Sequence, residues 1–388
     1  MLFARVRDTG QSDRPSDNLR EAAHYREFPG IFQFLHTDKK AYPLGYLPAL
    51  DGMRGMTTFA IFIVHSGYFA FSGVMIYMDV FFTMSGYLIT SILINDFKKH
   101  GKIRLKTFYL RRFLRLFPAF TLMLVVMGVI SYLFLPDYKA RLLELTAAFF
   151  YTTDLPSVTR WAGVTLLLTQ HTWSLAVEEQ FYVVWPIVLG FLLSRFGISR
   201  TTAAYIFMAS VLFALSRATM THLGVDRVYL FYTFYARADS ILLGCGLAVV
   251  LKIVDLKDYP RLCTILAYSL LPISIGSVVA ALTMDLTTRW YYYVSFLFGS
   301  LPGAIAVAAV VQPHRTFMHR FFEHPVPVFW GRICYGLYVW HWPIFLLLGM
   351  QFQLRGLPVI LIGWPLAFAC ATASYYLIER QFMRARPV

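Results

Sequence analysis

Arg54 and His65 are separated by ten residues within the first stretch long enough to cross a bilayer. An ionisable side chain at membrane depth is costly and marks a functional site by default. At about 100° per residue, eleven steps return to nearly the same helix face, roughly 16 Å further along the axis. The spacing therefore predicts Arg54 at a membrane–water boundary and His65 beneath it near the midplane. A cation at the mouth and an imidazole in the depth suit a ligand with an anionic head and a reactive tail. The competing reading is an interfacial anchor plus a histidine bonded to a neighbouring helix.

Further ionisable residues interrupt the later apolar runs: Asp79, Glu178, Glu179, Arg237, Asp239 and His341. At similar depth they are too many to face lipid, so the pattern predicts a polar cavity between helices. Arg237 and Asp239 are close enough in sequence to form a structural ion pair. His341, on an aromatic-rich stretch, has a structural reading as well. A second cationic feature is the run Arg111-Arg112-Phe113-Leu114-Arg115. On a helix Arg111 and Arg115 share a face with Arg112 beside them, which makes a phosphate clamp at a membrane surface. The plain alternative is a cluster of cations that sets topology.

The elements that must position these groups are helices in lipid. Hydrophobic residues make up 58% of the 388 and charged ones only 14%. Apolar runs of membrane-spanning length recur along the chain, which predicts an all-α integral membrane protein. Ten spans are expected: 54–72, 75–97, 118–136, 173–194, 202–222, 228–251, 262–283, 290–312, 329–351 and 357–378. A shorter apolar piece, 140–153, reads as an interfacial or re-entrant helix. The connection 98–117 carries eight cations, which places it in the cytoplasm and, by alternation, both termini with it. The net charge of +14 follows from such connections, and no nucleic-acid-binding motif accompanies it. The four cysteines have no C-x-x-C spacing, so buried thiols rather than zinc ligation or disulfides are expected, and no metal site is anticipated. Residues 1–46 read as a polar, partly disordered cytoplasmic tail without a cleavable signal, 47–382 as one transmembrane domain, and 383–388 as a short basic tail.

Six ordered blocks resemble the acyltransferase-3 membrane family. The first is Leu47-Pro48-Ala49-Leu50-Asp51-Gly52-Met53-Arg54-Gly55 with His65 after it, similar to the family's R-x10-H signature. The resemblance continues through Met78–Thr90, Arg111–Ala119 and His171-Thr172-Trp173-Ser174-Leu175-Ala176-Val177-Glu178-Glu179-Gln180-Phe181-Tyr182. It closes with Arg237-Ala238-Asp239 and Tyr335-Gly336-Leu337-Tyr338-Val339-Trp340-His341-Trp342-Pro343-Ile344. Gln381 stands where the family usually has proline, and no hydrolase-like domain is expected after the last span.

The resemblance implies an acyl-CoA co-substrate, most often acetyl-CoA, no permanently bound cofactor, and a hydroxyl acceptor on a surface carbohydrate. The expected setting is a bacterial cytoplasmic (inner) membrane, with lipids around the protein. On this reading Arg54, Arg111, Arg112 and Arg115 take the donor's phosphates, and His65 serves as general base or acyl relay. A carboxylate on the other ring nitrogen would fix the tautomer; Asp79 and Glu179 are the candidates, with Glu178 behind them. Trp173, Ser174, Tyr182 and His341 are expected along the acceptor path. The rival class is a glycan flippase or proton-coupled carrier, which also uses intramembrane His, Asp and Glu. Such carriers often show inverted repeats, and no repeat is visible here.

Overall fold

A computed structural model describes residues 47–67, 69–155, 165–284 and 288–384, without the side chains of 69–72. The predicted tail 1–46 and the last residues, 385–388, lie outside the described residues. Every regular element among those described is helical. Helix α1 runs Pro48–His65, followed by a 3₁₀ stretch Phe69–Ile76 and α2, Tyr77–His100. Next come α3, Leu105–Phe134, and the short α4, Tyr138–Phe149. Then follow α5, Trp173–Phe196; α6, Arg200–His222; α7, Arg227–Tyr232; and α8, Ala238–Ile253. Helix α9 spans Pro260–Thr283, α10 Arg289–Ser295 and α11 Leu301–Val311, the last two joined by a π turn. The chain continues with α12, Phe317–Phe322; α13, Pro325–Phe352; α14, Leu357–Ser374; and, after another π turn, α15, Arg380–Arg384.

Eight helical stretches among the described residues are long and apolar enough to cross a bilayer. Their outer faces are apolar and exposed, with Val125 and Leu133 on α3, Ile187 and Phe191 on α5, and Ile265 and Leu271 on α9. Such a continuous apolar exterior is stable only in lipid. The chain is an integral membrane protein. The two remaining predicted spans, 54–72 and 228–251, correspond to shorter helices, and each is cut for a local reason. Helix α1 stops at His65 because Ser66 ends it and Gly67 takes a φ of 100°, which a side chain would resist. His65 is therefore the last residue of its helix rather than the middle of a span. The second cut separates α7 from α8 at 233–237. There the buried Arg237 guanidinium takes the Phe231 carbonyl at 2.9 Å, while Arg217 on α6 takes that of Ala236 at 2.7 Å. Irregular backbone at membrane depth survives where protein groups satisfy it.

Close backbone packing sets the site. A methyl group on Gly331 of α13 would overlap the Asp51 carbonyl of α1, and one on Gly55 would meet the Pro327 carbonyl. Likewise Gly86 on α2 and Gly244 on α8 bring those helices together at the Ile241 and Thr83 carbonyls. Small residues let helix backbones approach in lipid, where no hydrophobic force drives them together. The first pair aligns α1 with α13, and the second aligns α2 with α8. The cysteines are free, with Cys245, Cys263 and Cys334 buried.

Candidate active site

The α1–α13 contact places two imidazoles against each other. His65 Nδ1 lies 2.7 Å from His341 Nε2, and the rings are parallel within 5°. On its other side, His341 Nδ1 faces the Tyr338 carbonyl at 2.7 Å and the Leu337 carbonyl at 3.2 Å. A carbonyl only accepts, so His341 Nδ1 carries the proton and donates it. With both rings neutral, His341 Nε2 must accept from His65 Nδ1–H. The network thus assigns the tautomer of His65 and leaves its Nε2 bare. No described residue takes up that nitrogen. Phe62 stacks on His341 at 4.2 Å, and Trp342 meets the His65 ring edge-on at 4.9 Å.

His171 completes the group, with its ring centroid 5.4 Å from that of His341. Its Nε2 donates to the Val339 carbonyl at 3.2 Å, and its buried Nδ1 has no hydrogen-bond partner among the described residues. The Tyr338 hydroxyl donates to the His171 carbonyl at 2.7 Å and lies 2.6 Å from Ser174 Oγ. The connection leading to His171 is held by Glu144 on α4, a fully buried carboxylate. It accepts from the Leu167 and Thr169 amides at 2.6 and 2.7 Å and pairs with Arg141. Among the described residues no group of three or more His, Cys, Asp or Glu side chains is arranged to hold a metal ion.

The expected carboxylate partners of His65 are elsewhere. Asp79 is bonded to Arg237 at 3.1 Å and to Ser240 at 2.9 Å, all fully buried. Asp239 pairs not with Arg237, as the sequence suggested, but with Arg217 at 2.8 Å. Arg237 caps the start of α8 and Asp239 lies in its first turn, two residues on, so each finds a partner on another helix. Trp173 belongs to this charged centre, packed against Phe231 at 5.0 Å with the Arg237 guanidinium 5.7 Å from its ring.

Glu179 is engaged by Arg112, whose Nε and Nη2 approach its carboxylate at 3.0 and 2.6 Å. That guanidinium also lies 3.4 Å over the Tyr182 ring, while the Tyr182 hydroxyl contacts Ser85 and donates to Glu178 at 3.3 Å. A groove of about 220 Å³ between α3 and α5 opens over this pair, walled by Tyr109, Phe113, Phe117 and Val183. The predicted triple-arginine clamp is thereby divided, because Arg112 and Arg115 on α3 reach different acidic partners. Arg112 turns to Glu179. Arg115 is exposed and lies within electrostatic range of Asp51 and Glu379. Arg54 contacts Asp51 at 3.2 Å, one helical stretch away from His65 on the same α1.

Of the predicted residues, the structure therefore gathers His65, His341 and Ser174, and places Arg54 with Arg115 near a shared acidic partner. It sets Asp79, Glu178, Glu179, Arg112, Trp173 and Tyr182 in separate polar groups. Sequence reasoning missed His171, Tyr338 and Glu144 as parts of the site. The first two stood in motifs that signal them, and Glu144 only in an apolar piece of unclear role.

Three comparisons with known proteins bear on this arrangement. A family model described as an acyltransferase domain matches residues 47–379. The chain is 30% identical over 350 residues to the O-acetyltransferase OatA of Staphylococcus aureus strain NCTC 8325 / PS 47, covering 88% of this chain. It is also 30% identical over 349 residues, 87% of its length, to SACOL0978 of Staphylococcus aureus strain COL, provisionally named as an O-acetyltransferase. The match spans only 58% of the length of each of these relatives. No solved structure matches the chain.

Proposed function

The chain belongs to the acyltransferase-3 family, and from that premise we propose that it is a membrane O-acyltransferase that uses acyl-CoA to acylate a carbohydrate hydroxyl. The observation that carries the reading is His65, whose ring is held through Nδ1 while Nε2 keeps an unshared pair. That nitrogen takes the proton of the acceptor hydroxyl as the oxygen attacks the thioester carbonyl. A C–O bond forms, the C–S bond breaks, and the CoA thiolate leaves with the proton from His65. The products are the ester and free CoA thiol. The same lone pair is the atom an acyl-histidine relay would use, and trapping a labelled acyl group on the protein distinguishes the two.

Arg54, Arg111 and Arg115 are the cations proposed for the donor's phosphates, with Arg54 beside Asp51 and Arg112 held by Glu179. The proposed acceptor is a sugar of the cell surface, the proposed acyl group is acetyl, and lipids surround the bundle. No permanently bound cofactor takes part. In the proposed topology the chain crosses a bacterial cytoplasmic membrane about ten times. Both termini, and the Arg54 end of α1, face the cytoplasm, where the donor is found.

The experiment is acceptor-dependent release of CoA thiol by the purified full chain in detergent, supplied with acetyl-CoA and a panel of monosaccharides. An acyltransferase releases thiol and acetylates a sugar without any gradient. Substrate movement in sealed vesicles without acyl transfer in detergent is the result expected of a carrier, and it would overturn this reading.

A further inference from the structure

We infer that His341 is the positioning residue of the site and takes the place that a carboxylate holds in a catalytic triad. The inference rests on the proposal that His65 acts on the acceptor hydroxyl. Its grounds are the bonds around His341. The Tyr338 carbonyl fixes a proton on His341 Nδ1, His341 Nε2 is thereby an acceptor, and His65 must present Nδ1–H to it. The base nitrogen of His65 is selected by a backbone carbonyl through an intervening ring.

Two further observations say that this chain is built rather than incidental. His341 is fully buried and clamped between the Phe62 face at 4.2 Å and the Phe345 edge at 5.5 Å, so its ring cannot turn without displacing either. The helices that carry the pair meet at backbone distance through Gly55 and Gly331, which fixes their register. No carboxylate among the described residues competes for His65 Nδ1. Asp79 is bonded to Arg237, Glu179 to Arg112, and Glu178 to Tyr182. A neutral partner suits this depth, because an unpaired carboxylate would have to be desolvated beside a ring that is neutral in the resting state. His341 does not touch the reacting atoms; it acts by holding His65 in one tautomer and orientation.

A merely structural His341 and a positioning one are separated by two substitutions. His341→Phe keeps the buried ring and its stacking on Phe62 but cannot accept from His65. His341→Gln loses the ring but offers an amide oxygen near the former Nε2. Full-length variants in detergent are compared for kcat and KM with acetyl-CoA, alongside their melting temperatures and a His65→Ala control. Expected is a fall in kcat on the order of 100-fold for His341→Phe, with KM within about two-fold of the parent. His341→Gln is expected to retain activity within about ten-fold of the parent, even if it melts earlier. A phenylalanine variant as active as the parent, or more active than the glutamine variant, overturns the inference while His65→Ala remains inactive. Parental activity in His65→Ala instead removes the base assignment itself, and the positioning role with it.

Discussion

The charged centre around Asp79 and Arg237 and the imidazole site, where half-buried His65 meets buried His341, lie in the same bundle, yet they are assembled on opposite terms. In the first, two carboxylates and two guanidiniums from α2, α6 and the start of α8 neutralise one another, with Ser240 donating and backbone carbonyls accepting around them. In the second, every fixed bond points one way along a chain of neutral groups, and the terminal Nε2 of His65 is left over. Closed charge pairs hold helices together and have little capacity to react. A bare nitrogen with a fixed neighbour can take a proton. The difference teaches that intramembrane charge alone does not locate chemistry; a neutral nitrogen with an unshared pair beside a rigid partner does, whereas the capacity left at Arg237 Nη2 is only that of a charged donor.

The comparison is broken most severely at Arg237. Arg237→Met leaves the buried Asp79 carboxylate without its guanidinium and should destabilise the protein by about 3–5 kcal/mol. Loss of monodisperse protein on size exclusion in detergent would show it. Replacing both partners, Arg237→Met with Asp79→Leu, should recover most of that loss, because an apolar pair of similar volume replaces a closed ion pair. A double variant no better than the single one would mean that this centre does more than hold helices.

A smaller effect is expected at the α1–α13 seam. Gly331→Ala forces a methyl group into the Asp51 carbonyl and should cost about 1–3 kcal/mol through strain. Because it shifts the helix that carries His341, CoA release should fall more than the melting temperature alone accounts for. Equal loss from Gly86→Ala, at the α2–α8 seam, would say that any packing defect suffices.

Glu179→Gln sharpens the contrast from the other side. The carboxylate that sequence offered as a partner for His65 is paired with Arg112, and both side chains are partly exposed. A thermal shift equivalent to about 1 kcal/mol or less and activity within a few-fold of the parent are expected. Abolished CoA release at unchanged KM would place Glu179 back in the chemistry.

A further effect concerns pH. Asp154, in the segment after α4, is buried and accepts from Gln180 at 2.7 Å, and burial pushes its carboxyl up to about 6. Between the ordinary value near 4 and about 6, the folded protein keeps a proton that the unfolded chain releases. This carboxyl therefore makes stability fall as pH rises through that window and flatten above it. Melting curves across the window should show a shallower decline for Asp154→Asn, and an unchanged slope would assign the pH dependence elsewhere.

Much of the architecture was legible because apolar runs of spanning length and their charged connections follow from the bilayer itself. The break between α7 and α8 was not legible, since it depends on Arg237 reaching the Phe231 carbonyl. His65 was found from one residue type in one kind of run. Its pairing with His341, itself a candidate, was not, because the two lie 276 residues apart and the expectation favoured a carboxylate. The arginine run was read as one clamp from helix geometry alone. What divides it is Glu179, 67 residues on, which draws Arg112 away from its neighbours. Local pattern yields elements and candidate groups; which group pairs with which is decided by helix packing.

The central claim is that the reacting nitrogen is His65 Nε2 and that the charge pairs only hold it in place. The direct measurement is CoA thiol release from acetyl-CoA by purified His65→Ala in detergent, normalised to folded protein. A loss of at least about 100-fold at a melting temperature near the parent's is the predicted result. Activity within a few-fold of the parent, with the fold intact, would contradict it.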